Sequence, residues 1–394
     1  MTLSLKSVLL FAGLATALTA CTPNTDERTA GVPADSIASI VTLAAQQFLD
    51  TTPQAVGFSI SVVAADDIHS FHFGTTSPQG TDTPTDNTIY GIASVTKTFT
   101  GVLLAKAVLD GRLDLSSDIR GYLDGDYPNL AYNGHFITPA HLVNHSSELP
   151  NGLPDRPEMH PEFAGYDGDV LAWMDHMKSV YADYATEDFL VDLQSVQLDT
   201  IPGTRFSYSN AGPQLAGFML ERVYGETYEA LLDRVIFEPL GMARTGITLD
   251  ADVITGYDET GQAMPPVLAA YGAAGAIKST IVDLGRYVQW HLNEDDPLVK
   301  LSHTPPGGSA EDPAEGFSLG LNWQMMRYEG VRRLWQDGNI PGYSSRVVMY
   351  PELNLGVVIL ANQLDRSIPG KTNDMADTIL EGLDARAFTI MEGL

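Results

Sequence analysis

The chain has 394 residues, 44% hydrophobic and 18% charged, which is long and apolar enough for a complete core and for two domains or subdomains. Its 22 Lys and Arg stand against 50 Asp and Glu, a net charge of −28 that argues against nucleic acid or an anionic membrane surface as a partner. No acidic run of tail length occurs, so the charge is spread over the surface, and a single cysteine allows no internal disulfide.

In chain order, residues 1–21 read as a leader outside the fold. Lys6 supplies a short basic start, and the apolar run from Val8 to Leu18 is too short to span a bilayer. Leu18-Thr19-Ala20-Cys21 resembles the lipobox of bacterial lipoproteins, which implies cleavage before Cys21, a lipidated Cys21 and an exported protein facing the periplasm or cell surface. An ordinary secretory signal cleaved near Ala20 is the alternative. Residues 22–34 read as a flexible tether. Residues 35–49 have helical periodicity, and 55–76 alternate as two strands joined by a tight turn. A Pro/Thr/Asp loop, 77–88, leads to YGIASVTKTFTGVLLAKAVLDG, 90–111, where Val95 to Leu109 is apolar on nearly every side and predicts a buried helix stopped at Gly111.

Beyond it, 135–150 reads as a loop, a short helix and a turn, and 151–167 as an irregular insertion. Helical patterns follow at 168–183, 186–196, 211–224, 226–236 and 281–292, and 302–315 has linker composition. Strand patterns return at 316–328, 330–337, 342–350 and 354–362, before a last helix over 371–383. This order predicts an α/β domain from 35–111 and 316–390, with a mainly helical domain, 112–315, inserted and the site in the cleft between them.

Three stretches carry chemistry. Ser94 and Lys97 lie i, i+3 in the first turn of the buried helix, so hydroxyl and amine share a face. A cation there is costly unless it has a partner, and the helix N-terminus disfavours the protonated amine, so a neutral lysine can activate the serine. The spacing alone is weak: ordinary residue frequencies give on the order of one or two chance matches in such a chain. In PGTRFSYSNAG, 202–212, Tyr208 and Asn210 place a phenol and an amide in a turn before a helix, where one can shuttle protons and the other hold a carbonyl. Tyr127-Pro128-Asn129 also matches, and is set aside as part of an exposed acidic turn. In LWQDGNIPGYSS, 334–345, Gly338 would let backbone approach a ligand, and the strand edge could offer an N–H to an oxyanion. A plain β-turn is the alternative there.

Taken together, Ser94-Val95-Thr96-Lys97, Tyr208-Ser209-Asn210 and Gln336-Asp337-Gly338 resemble the serine β-lactamase and penicillin-binding protein superfamily, most of all class C β-lactamases, similar serine DD-peptidases and related esterases. Further matching stretches, among them GRLDLSSDI (111–119), FEPLGMARTGI (237–247) and PGYSSRVVMYPELNLGVVILAN (341–362), extend the resemblance over roughly 35–385. It implies an antiparallel sheet flanked by helices, no cofactor, and a small-molecule or peptidic acyl substrate. It implies Ser94 as nucleophile, Lys97 as base or relay, Tyr208 as proton shuttle, Asn210 as substrate contact, and the N–H groups of Ser94 and Asn339 as oxyanion hole. Two positions depart. Gln336 replaces the usual Lys or His and is followed by acidic Asp337, which favours a neutral ester or amide over an anionic substrate. Glu148 replaces a glycine after His145-Ser146-Ser147, which alters that turn.

Other patterns carry less. Gly316-Phe317-Ser318-Leu319-Gly320 fits a nucleophile elbow, but its surroundings are strand-like and no histidine follows His303. His141 and His145 have zinc-ligand spacing, with no third ligand in view. The reading is a lipid-anchored serine hydrolase cleaving an ester or amide. A class C-type β-lactamase or DD-carboxypeptidase is one alternative, and a non-catalytic envelope-binding module that has lost turnover is the other.

Overall fold

The computed structural model describes residues 33–384 apart from 53, 156–169, 250–252, 266–271, 307–315, 329 and 364–367. The leader, Cys21, nearly all of the tether and most of the 151–167 insertion lie outside the described residues, as does most of the 302–315 linker. Gly31–Leu394 forms one compact unit.

Seven strands build an antiparallel sheet: β1 (Gly57–Ala64), β2 (Asp67–Gly74), β7 (Gly316–Leu319), β8 (Gln324–Tyr328), β9 (Val331–Ile340), β10 (Tyr343–Tyr350) and β11 (Leu355–Ala361). Their order is β2-β1-β11-β10-β9-β8-β7, so the first hairpin of the chain docks on its last strand. Short strands β3 (Ile89–Gly91) and β6 (Lys278–Thr280) pair apart from it, as do β4 (Ala131–Tyr132) and β5 (His135–Phe136).

Alternation sorts the sheet residues into two cores. Phe58, Ile60 and Val62 of β1 and Val357 and Ile359 of β11 face α1 (Ala34–Thr51) and the C-terminal helix Ile368–Leu383, where Ile37, Val41, Ala376 and Ile379 are buried. Val358, Leu360, Val347 and Leu334 face the other way, into a larger core shared with the helical region. That core contains α2 (Thr96–Leu109), whose residues are buried from Thr96 through Ala105. Apolar residues on nearly every side, with the buried threonines and Lys97 of its first turns hydrogen-bonded, suit a helix enclosed this way. Phe99 stacks on Tyr287 with ring centroids 3.9 Å apart, worth about 1 kcal/mol beyond the area buried. Gly101 lets the helix lie against the Leu321 carbonyl, which a Cβ there would meet at 2.1 Å.

α2 packs against α6 (Ala211–Tyr224) and the helices Tyr228–Leu232, Gly272–Gly275 and Pro297–Ser302, α3 (Pro139–Val143) packs on α6, and α4 (Val170–Tyr181), α5 (Thr186–Leu193) and Ile281–His291 are the further helices of the region. The expected single strand over 316–328 is two strands. Leu321 and Trp323 turn fully into the core between them, and Asn322 takes a left-handed φ of +63° while its amide holds the Lys97 carbonyl at 2.8 Å. Tyr127 corrects the sequence reading in a second way: it is 2% exposed and part of the core, not of an exposed turn.

Candidate active site

The chain enters α2 through a single 3₁₀ turn, Ala93–Val95. Ala93 sits at φ +47°, a left-handed conformation that costs an alanine on the order of 1 kcal/mol. It is 0% exposed and wedged under β9, so packing holds the strain and sets the next residue, Ser94, at the mouth of the helix.

Ser94 Oγ is 2.8 Å from the Tyr208 hydroxyl, and Lys97 Nζ donates to the same Oγ at 2.8 Å and to the Ala274 carbonyl at 2.7 Å. Lys97 is fully buried and has no carboxylate among these partners. Burial therefore lowers its pKa, and Tyr208 offsets this only in part. The Tyr208 ring lies 5.2 Å from the amine and packs against the His145 imidazole, ring centroids 4.5 Å apart. A lysine, a serine and a tyrosine thus form one chain of hydrogen bonds reaching from the core to solvent, since Tyr208 is 42% exposed.

Tyr208 comes from a loop fastened to the turn after α3. The Ser207 N–H donates to the His145 carbonyl at 2.7 Å and the Ser209 N–H to His145 Nδ1 at 3.3 Å. Burial, with the Lys97 charge, holds the His145 imidazole down to about 3, so it is neutral in the working range. His141 Nδ1 accepts the Thr138 N–H in a capping box. Of these two histidines His141 serves helix capping, and His145 fastens the Tyr208 loop, which no sequence pattern distinguished. Glu148 does not alter its turn as expected. It adopts the left-handed φ of +65° that glycine favours, and its carboxylate pairs with Arg205 on the Tyr208 loop.

Asn210 Nδ2 donates to Asn151 Oδ1 at 2.8 Å. On β9, Gln336 and Gly338 share the face toward α2. A Cβ on Gly338 would meet Ser345 Oγ at 2.2 Å and the Ile92 carbonyl at 2.4 Å. Its small size lets the strand approach the nucleophile turn closely. Gln336 is 4% exposed, and its Oε1 accepts from Gln324 at 2.9 Å. Asp337 does not sit beside it toward the site: it points to the opposite face and pairs with Arg346. The site therefore meets a neutral carboxamide on this strand, without the carboxylate that adjacency in sequence implied.

Pro341-Gly342 closes a two-residue turn, so Ile340/Tyr343 and Gly338/Ser345 exchange hydrogen bonds and Asn339/Ser344 does not. The Asn339 N–H is thereby aimed away from β10, along the edge that β8 leaves beyond the Gln324/Trp335 pair. The Ser94 N–H lies in the first turn of a helix, in the turn against which β9 packs at Gly338. Ser318 lies within β7, paired with Met325, and has no elbow.

An arrangement of this kind belongs with the serine hydrolases that activate a hydroxyl by an amine instead of an imidazole. Comparison with known proteins places it more narrowly: a family model described as Beta-lactamase matches residues 44–379, and the chain belongs to that family. It is 26% identical over 350 residues to a "Beta-lactamase" of Pseudomonas fluorescens, covering 78% of this chain and 88% of that one. It is 25% identical over 342 residues to the D-alanyl-D-alanine-carboxypeptidase/endopeptidase AmpH of Escherichia coli, covering 82% and 83%. An "Unguisins hydrolase" of Aspergillus campestris is 24% identical over 337 residues, covering 78% of this chain and 58% of that one. The protein is a serine hydrolase of this family, with an antiparallel sheet and flanking helices.

Proposed function

We propose that the protein hydrolyses a neutral ester or amide through an acyl-enzyme on Ser94. One observation carries the reading: the continuous hydrogen-bonded chain Lys97–Ser94–Tyr208, anchored on a buried lysine whose pKa burial lowers. Once neutral, Lys97 can turn its lone pair to the hydroxyl and take the Ser94 proton as Oγ bonds to the substrate carbonyl carbon. The carbonyl π pair moves to oxygen, and the Ser94 and Asn339 N–H groups would receive that oxyanion. As the carbon–leaving-group bond breaks, Tyr208 gives its proton to the departing oxygen or nitrogen and is left as a phenolate beside the protonated Lys97 amine. Water then attacks the acyl carbon on Ser94, giving a proton to the Tyr208 phenolate, and as the carbon–Oγ bond breaks Oγ takes its proton back from Lys97 while the acid leaves.

Gln336 supports a neutral substrate, because a carboxamide bound to Gln324 offers an anionic group no full charge. The named relatives supply the alternative, a β-lactam or D-alanyl peptide. The test follows a short-chain p-nitrophenyl ester and a chromogenic cephalosporin with the protein and its Ser94→Ala variant. Ester turnover lost in the variant, with slow cephalosporin turnover, supports the proposal. Fast cephalosporin turnover makes the protein a lactamase instead. Turnover that survives Ser94→Ala removes Ser94 from the mechanism. We also propose a lipid anchor at Cys21, on the lipobox-like residues before it. Cys21→Ser should then move the protein from the membrane fraction to the soluble one.

A further inference from the structure

Beside Asn210 the helical region forms a half-open cavity of about 370 Å³ that the chemistry above leaves unused. Four rings line it: Tyr181 and Tyr184 at the end of α4, Phe189 of α5 and Phe218 of α6. Phe189 and Phe218 meet edge to face at 5.1 Å, as do Tyr181 and Tyr184 at 5.4 Å. Both phenol hydroxyls are engaged, Tyr181 with the Leu153 carbonyl at 2.9 Å and Tyr184 with Asp192 at 2.7 Å. What these tyrosines can offer a ligand is therefore chiefly ring surface.

Two polar lining residues tie the cavity to the reacting groups. Asn210 stands two residues, at most about 7 Å of chain, from Tyr208, whose hydroxyl touches Ser94. Gln214 accepts the Ala273 N–H at 3.1 Å, and the next carbonyl, Ala274, holds the Lys97 amine. The size falls within the range of small-molecule sites, and apolar walls with a few convergent amides are their usual lining.

We propose that this cavity is the acyl subsite and that it takes an apolar acyl group, a medium alkyl chain or an aryl ring. The inference rests on Ser94 as the acylated residue. During turnover the acyl arm stays on Ser94 through the second step while the leaving arm must escape, so a recess walled by rings suits the arm that stays.

The test holds the leaving group constant and lengthens the acyl chain: p-nitrophenyl acetate, butyrate, hexanoate, octanoate and phenylacetate, with the leaving arm varied in a parallel series of acetate esters. Burial of each added methylene should raise kcat/KM by up to about fourfold, until the cavity is full. Gly152 lines the cavity with nothing within 4 Å of where its Cβ would be, so Gly152→Phe can fill the space. That variant should lower the hexanoate-to-acetate ratio at least tenfold, and Phe218→Ala should move the optimum to longer chains. Melting curves show whether each variant is folded. A flat acyl series with turnover still abolished by Ser94→Ala overturns the subsite and leaves the Ser94 reading intact, and so does a rise confined to the leaving-arm series. Alkyl fluorophosphonates of graded length, read by intact mass, serve if no ester is turned over. Failure of all of them to label Ser94 overturns both inferences together.

Discussion

Gly338→Ala tests how the nucleophile is held. The added Cβ would stand 2.4 Å from the Ile92 carbonyl and 3.0 Å from the Ala93 Cβ, besides 2.2 Å from Ser345 Oγ. The serine rotor can swing aside, but the Ile92 carbonyl is main chain two residues before Ser94 and has no rotamer to use. Restoring an ordinary contact of about 3.5 Å requires β9 and the 3₁₀ turn to part by about 1 Å. Overpacking of this kind costs about 1–3 kcal/mol, read as a lower denaturant midpoint at unchanged m-value. The same displacement separates the Ser94 and Asn339 N–H groups from each other. Misplacement by about 1 Å costs on the order of 100-fold in rate, so kcat should fall far more than KM rises. Gly111→Ala is the control: its φ of +67° makes alanine strained there, yet nothing lies within 4 Å of the new Cβ. It should lose about 1 kcal/mol of stability and no activity. Wild-type kcat in Gly338→Ala would refute the idea that the strand sets the position of Ser94.

Lys97→Met should separate activity from stability. Without the base, kcat/KM falls by roughly 10²–10⁴. Exchange of a buried amine for an apolar side chain of similar size is neutral or stabilising, so the melting temperature should hold or rise. In the wild type, activity should fall as pH drops through the lowered Lys97 pKa, because the amine takes up a proton and ceases to be a base; a rate flat across that limb would exclude Lys97. Acid should also unfold the protein from within. His291 and His303 are buried and joined at 2.9 Å, and His303 Nδ1 is 2.7 Å from Glu294. Burial lowers both imidazoles, most of all His291, so the unfolded chain binds protons first and stability declines as pH falls below about 6.5. Burial alone would raise Glu294, but hydrogen bonds from His303 and Arg332 outweigh it and bring it to about 2, which extends the loss from about 4.5 downward. His291→Phe should flatten the upper part of that decline in chemical denaturation across pH. Glu148→Gly should melt close to the wild type, because relief of the left-handed backbone offsets loss of the ion pair to the exposed Arg205. Glu148→Ala, which keeps the strain and loses the pair, should melt lower than either.

Much of the site could be read in advance because its signals are local. Val95–Leu109 is apolar all round, which only a buried helix tolerates, and a serine and lysine one turn apart must share a face of it. The Tyr208 turn carried its own Pro-Gly and helix-start punctuation. What escaped depended on distant partners. That His145 supports Tyr208, that Gln336 is held by Gln324, and that Ala274 holds the Lys97 amine are facts of register and packing between segments far apart in the chain. Asp337 shows the same limit on a smaller scale: adjacency in sequence put it beside Gln336, and strand alternation put it on the other face. The break between β7 and β8 was hidden because Leu321 and Trp323 continue an alternating pattern while turning inward.

The pairing of β1 with β11 places residues near 60 against residues near 360. During synthesis the nucleophile helix is complete long before β9, and β1 and α1 wait for the final strand and helix to cover them. Loop closure over nearly the whole chain makes this a slow topology. The nascent chain thus carries the Ser94 turn uncovered until β9, which packs against it, has emerged.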